Sequence, residues 1–257
     1  MTLTVATLWY TVRYLKPIQV YGRLLFWLKR RFWRCNNRSD LISLVAKASK
    51  LKKIFTINLP TLLTFFFLNR PQSYNQNQID WLEPRAEKLW RYQLHSFVYL
   101  DDFAWSDETK WYLILDWIEK NYNEMGEAWE PYVISRRLSY WLAWFEKQKN
   151  FLVVQPALQK LIQQSVFYQC RRLRADLEYH LQANHLLENF VALFLGSGWL
   201  SKQGFDTRAW LLLSRRGLQK ELKEQILSDG GHYERSPMYH IVIMESVQRL
   251  KECGEIW

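Results

Sequence analysis

The sequence predicts a mainly α-helical protein, an α/α toroid or incomplete helical barrel, with a short irregular or β-like segment near the N-terminus. Three features predict it. Apolar residues recur at helical spacing from residue 106 onward, prolines stand at helix starts with glycines at helix ends, and strand signal is nearly absent after residue 70. Helices of about four to six turns joined by short connections form antiparallel hairpins. Hairpins of this kind, with the loops at one rim shaping a cleft, give the toroid. No period strict enough for a solenoid is present.

Taken in order, residues 1–53 read as a basic amphipathic arm and residues 54–80 as a connecting segment. The connector holds the β-branched and aromatic run Ile54-Phe55-Thr56-Ile57, then Thr64-Phe65-Phe66-Phe67-Leu68, and the polar stretch Gln72 to Gln78 reads as a loop. Residues 81–257 make the toroid. Ser106-Asp107-Glu108 caps a helix whose Trp111, Leu115 and Ile118 fall at i, i+4 and i+7. Pro131 opens a second helix, through Val133, Leu138, Trp141 and Phe145, and Pro156 opens a third that runs towards Leu177. A fourth holds Leu186, Phe190, Leu193 and Phe194, with Asn184 in the usual N-cap position and a stop at Gly196-Ser197-Gly198. Asp206-Thr207 caps a fifth, through Trp210 to Ile226, and Pro237 starts a sixth.

Composition narrows the function classes. With 257 residues, 49% hydrophobic and 23% charged, the chain is globular and long enough to bury a core without staples. Cys35, Cys170 and Cys253 are odd in number and include no C-x-x-C pair, so they read as free thiols and exclude a zinc ribbon or a thioredoxin-like motif. The net charge of +10 favours an anionic partner, and residues 1–53 supply it with twelve Lys and Arg against Asp40. That arm resembles neither a secretory signal nor a membrane span, because Arg13, Lys16 and Pro17 interrupt its first apolar run and Lys29 to Arg31 end the next. It is either a solvated face packed on the main domain or a contact for a membrane surface or polyanion. Nucleic acid is not expected, since no recognisable motif accompanies the charge.

Histidines cluster late in the chain, with His180, His185, His232 and His240 near one another in sequence. A helix through this stretch would put His185 and Glu188 on one face with His180 near the opposite one. The string is not H-E-x-x-H, so no metal and no other cofactor is expected. Asn184-His185 has a plain reading as a cap and a satisfied polar residue. The run Asp229-Gly230-Gly231-His232-Tyr233-Glu234-Arg235-Ser236-Pro237-Met238-Tyr239-His240 is harder to dismiss, because a solvated connection rarely needs so many ionisable groups.

Asn184-His185-Leu186-Leu187-Glu188-Asn189, followed about fifty residues on by that run, resembles the amino-terminal helical domain of heparinase II/III-type polysaccharide lyases. Leu94 to Leu100 and Trp129-Glu130-Pro131-Tyr132-Val133-Ile134-Ser135-Arg136 are similar to the family's upstream blocks. The resemblance covers most of residues 80–250. It implies an α/α toroid, followed in the family by a carboxy-terminal β-sandwich, and β-elimination on uronate polysaccharides such as heparin, heparan sulfate and alginate-like chains. By position it implies Asn184, His185 and Tyr239 as catalytic residues, with Glu188, Arg136, Arg235, His240 and Trp129 binding or supporting. It also implies a bacterial, periplasmic setting, although no cleavable signal is legible. Nothing here resembles the β-sandwich, so a truncated toroid with weak or no activity alone is expected.

The chemistry asks for these residue types independently. A proton α to a carboxylate becomes removable once an amide or cation offsets the carboxylate charge. A neutral imidazole or a tyrosinate then accepts it while a phenol protonates the leaving oxygen. A non-catalytic module for anionic polysaccharide or cell envelope explains the charge and aromatics equally well but leaves Asn184, His185 and Tyr239 unused together. A glycoside hydrolase would need two carboxylates about 5 to 9.5 Å apart, with Asp101, Asp102, Asp229 and Glu234 as candidates.

Overall fold

The chain runs through α1 (Pro17–Phe32), α2 (Arg38–Lys52), a hairpin of β1 (Leu62–Phe67) and β2 (Arg70–Asn75), α3 (Lys88–Ser96), α4 (Asp107–Lys120), α5 (Pro131–Lys147), α6 (Lys149–Val153), α7 (Pro156–Ala175), α8 (Ala183–Lys202), α9 (Arg208–Gln225) and α10 (Pro237–Gly254). This is a computed structural model that describes residues 13, 15–32, 38–56, 59–76, 78–102, 104–122 and 126–254, with backbone alone at 30–32, 38–40, 253 and 254. The mainly α-helical class is as the periodicity predicts. The side chains of Cys35 and Cys253 lie outside the described residues, and Cys170 is a free, buried thiol.

Local signals set most helix starts. Proline is the first residue of α1, α5, α7 and α10, where its missing N–H leaves no bond unmade. Ser106 accepts a hydrogen bond from the backbone of Thr109 at 3.2 Å and caps α4 as the sequence indicates. Three sequence expectations fail locally. The polar stretch after Pro71 is not a loop, because residues up to Asn75 form β2, paired antiparallel with β1. One face of this two-stranded ribbon is exposed, so a polar strand suffices: Thr64 and Ser73 hydroxyls bond across it at 2.8 Å, while Tyr74 and Phe65 point into the core. Gly196-Ser197-Gly198 does not end a helix, since α8 continues to Lys202. Gly196 serves packing instead: a Cβ there would lie 2.4 Å from Cys170 Sγ on α7, so glycine permits the close approach of the two helices. Asn184 is not a cap, because α8 begins at Ala183 and Asn184 is its second residue.

The core is centred on α4 and α5. Leu113, Ile114, Leu115 and Asp116 of α4 are all fully buried, so this helix is enclosed on every side. Its Trp111 stacks on Phe145 of α5 and its Trp117 meets Trp141 edge-on. Leu41, Leu44 and Ala48 of α2 join the same core. Lys52 bonds Asp116 at 2.8 Å, Trp81 Nε1 donates to the other carboxylate oxygen at 2.8 Å, and Lys120 approaches it at 3.0 Å. Burial works against the Lys52 ammonium, yet the bonds to Asp116 and Glu119 outweigh it and hold its pKa above the ordinary value.

Arg137 is the second buried ionic anchor. It is fully enclosed and, among the described residues, no carboxylate pairs with it. Its guanidinium donates to Gln169 of α7 at 2.7 Å, to the His95 carbonyl of α3 at 3.2 Å and to the Ala128 carbonyl at 2.8 Å, and lies 3.9 Å from the Trp117 ring centroid. One side chain thus ties α3, α5, α7 and the turn before α5. Trp129 packs behind it, 3% exposed, with its indole donating to the Asn121 carbonyl at 2.7 Å.

Candidate active site

Three helices bring their N-terminal ends to one rim. Tyr132 of α5 lies 4.5 Å, centroid to centroid, from His185 of α8, and one turn further Asn189 donates to Ser135 at 3.1 Å. Arg136 meets Glu245 of α10 at 3.8 Å, and a turn on Arg249 covers the Tyr140 ring at 4.9 Å. Ser246 of α10 donates to Glu188 of α8. Contacts therefore advance in the same direction along α5, α8 and α10, so the three run parallel. Asn184 and His185 lie in the first turn of α8, Tyr132 in the first turn of α5 and Tyr239 in the first turn of α10.

The backbone entering α8 is strained. Gln182 has φ 59° with ψ −152°, a region suited to glycine, and Ala183 follows at φ 51°. Such conformations cost about 1–3 kcal/mol each and persist where surrounding bonds impose them. Here Gln225, at the end of α9, donates to the Ala183 carbonyl at 2.9 Å, and its Oε1 lies 3.2 Å from Nε2 of His232. The loop between α9 and α10 is thus fastened to the residue preceding Asn184. Asp229, one of the hydrolase candidates, accepts from the Gly231 backbone at 2.9 Å in that loop, beside Gly230 at φ 83°.

His185 is flanked on two sides. Its Nδ1 is shielded from solvent and lies 3.4 Å from a carboxylate oxygen of Glu178 without a formed hydrogen bond, while the ring as a whole is 34% exposed and rests on Tyr132. Glu178 is itself fixed: its backbone N–H donates to Asn189 Oδ1 at 2.9 Å and its carboxylate accepts from Asn189 Nδ2 at 3.1 Å. Burial, reinforced by Glu188, raises the Tyr132 phenol to about 12 and keeps it neutral. Glu188 is fully buried, takes the Ser246 hydroxyl and faces Arg136 at 3.9 Å. Burial opposes the Arg136 charge, but Glu188, Tyr140, Tyr132 and Glu245 together raise its pKa above the ordinary guanidinium range. Arg136 also donates to Tyr140 at 2.9 Å, so its charge is spent largely within the protein.

The sequence profile described as heparinase II/III N-terminus matches residues 19–256. The chain belongs to the heparinase II/III N-terminus family. No curated protein and no solved structure matches it. Within this heparinase-type domain, Asn184 is 8% exposed at the rim and Tyr239 is half-buried, and among the described residues no hydrogen bond joins Tyr239 to Asn184 or His185. Tyr239 shares the α10 face of Ile243, 1% exposed, and Ser246, which places it on the side that packs against α8. His240 is half-buried near His232, and Arg235 is exposed with φ 53°. Trp129 has no open face for a sugar and lies 5.8 Å from the Arg137 guanidinium.

The helical spacing argued for His180 does not apply, because it lies in the turn before α8. Its ring lies against Phe26 of α1, tilted by 36° with centroids 4.4 Å apart, and burial lowers its pKa. His95 is buried in the core, accepts from Trp117 at 3.1 Å and is driven down to about 3, by burial first and Arg137 second. Among the described residues no three His, Cys, Asp or Glu side chains gather to hold a metal. Sequence reasoning missed Tyr132, Glu178 and Gln225. Tyr132 carried a usable signal, standing one helical turn before Arg136 in the run Trp129 to Arg136; Glu178 and Gln225 carried none, since only the fold brings them to α8.

Proposed function

We propose that this domain contributes the Asn, His and Tyr of a polysaccharide lyase that cleaves uronate chains by β-elimination. Family membership makes it a polysaccharide-lyase-related module, and parallel α5, α8 and α10, alternating with α7 and α9, support an incomplete α/α toroid. The observation that carries the reading is the held imidazole of His185 beside Asn184 at a rim where three helix N-termini meet. Those ends carry partial positive charge and favour an acidic sugar.

In this reading the Asn184 amide offsets the uronate carboxylate and His185 Nε2 removes the C5 proton. A C4–C5 double bond forms as the C4–O bond breaks, and the Tyr239 phenol donates its proton to the departing oxygen. Glu178 orients His185, and beneath it buried Glu188 takes the Ser246 hydroxyl and faces the Arg136 charge. Arg235 and His240 border the approach of the chain, and a β-rich partner domain supplies the opposite wall. Heparin, heparan sulfate and alginate are the substrates to offer, with formation of the unsaturated uronate read by ultraviolet absorbance. Turnover by this polypeptide is expected to be slow and to vanish in Tyr239→Phe and Asn184→Ala. Binding to these chains that no variant alters, with no turnover, would favour a non-catalytic module.

A further inference from the structure

Helix α1 is amphipathic in the wrong sense for a helix serving only to pack. Its docked side is narrow: Gly22 approaches the turn before α8, where an added Cβ would lie 3.3 Å from His180 Cβ, the Phe26 ring rests tilted against His180 and Lys29 donates to the Ala175 carbonyl at 3.1 Å. Most of its apolar side chains face outward. Val20, Leu24 and Trp27, at i, i+4 and i+7, are 43%, 59% and 62% exposed, and Tyr21 and Leu25 flank them at 51% and 47%. Arg23 is exposed on the border of this stripe, and the sequence continues into Lys29-Arg30-Arg31 within the segment that holds the chain's positive excess.

We propose that α1 is a membrane-surface helix, seating Val20, Leu24 and Trp27 in an anionic lipid leaflet with Arg23 at the headgroups, while the net positive charge of the surrounding sequence draws the chain to the surface. Charge complementarity selects this partner. A second copy would bring two strongly basic segments together, and a hydrated polysaccharide gains nothing from valine and leucine, whereas an anionic bilayer answers both the charge and the apolar stripe. Among the described residues no helix is long and apolar enough to cross a membrane, so α1 lies along the surface.

The test is co-sedimentation of the whole chain with phosphatidylcholine vesicles and with vesicles containing about a third phosphatidylglycerol. Binding to the anionic vesicles is expected, weakening as salt rises, and Leu24→Glu or Trp27→Glu is expected to reduce it roughly tenfold or more. These side chains are largely exposed, so the variants keep the fold, checked by their melting curves. Met238→Glu, at an exposed apolar position on α10, is expected to bind like the parent. Equal binding by Leu24→Glu overturns the proposal. So does a dimer that Leu24→Glu dissolves without any vesicle binding, or capture by soluble heparin alone that depends on Leu24. Each of these results is independent of lyase activity, which the α1 variants leave unchanged.

Discussion

Replacing Glu178 by alanine removes the carboxylate 3.4 Å from Nδ1 of His185 and the acceptor that Asn189 reaches at 3.1 Å. Because Nδ1 is shielded from water, that carboxylate is what favours a proton there and leaves Nε2 bare on the exposed part of the ring. A positioned base contributes about 10²–10⁴-fold, and since alanine leaves the imidazole in place, the lower end applies. Any measurable kcat/KM should therefore fall about 100-fold, which is about 2.7 kcal/mol of barrier. Stability should fall less, by about 1–2 kcal/mol, because Asn189 keeps its bond to Ser135. Long-range proton–nitrogen NMR reads the tautomer without any turnover. The parent chain should show His185 protonated at Nδ1, Glu178→Ala should shift it to Nε2–H, and Glu178→Gln, which keeps an acceptor, should resemble the parent. The same tautomer in the parent and the alanine variant would refute the orienting role.

Gly217→Ala would put a Cβ 2.4 Å from the Phe190 ring, so urea unfolding should show a loss of about 1–3 kcal/mol; an unchanged midpoint would refute the close approach of α8 and α9. Arg137→Lys should cost about 3 kcal/mol or more, because one ammonium cannot serve Gln169 and the His95 and Ala128 carbonyls together, and a neutral result would contradict the guanidinium's bridging role. His95 gives the stability a pH slope: its folded pKa of about 3 lies below the unfolded value, so the unfolded chain binds the extra proton between them. Stability present near neutrality is lost as pH falls below about 6.5, at close to 1.4 kcal/mol per unit, and His95→Gln should flatten that slope in chemical denaturation.

The sequence made the helical class readable because caps and prolines act locally, as at Ser106, Pro131 and Pro156. What escaped depends on partners distant in the chain. Gly196 looks like a stop until Cys170 stands against it, and Gln72 to Asn75 looks like a loop until β1 pairs with it. At the candidate site, Asn184, His185 and Tyr239 stood out through motif resemblance, whereas spacing alone left a cap reading open for Asn184. Glu178 belongs to no motif in the sequence and becomes a neighbour of His185 only when the turn before α8 folds back. Arg137 sits beside Arg136 with nothing to separate their roles, yet one is the enclosed anchor of four segments and the other faces Glu188.

Convergence of Asn184, His185 and Tyr239 on one sugar can be measured directly by NMR titration of the whole chain with a short uronate oligosaccharide. The Asn184 side-chain amide, the His185 ring and the Tyr239 ring should shift together along one binding curve, and His185→Ala should weaken that curve at both remaining reporters. Saturation that moves Asn184 and His185 while leaving Tyr239 untouched, or no response from any of the three, would contradict the account.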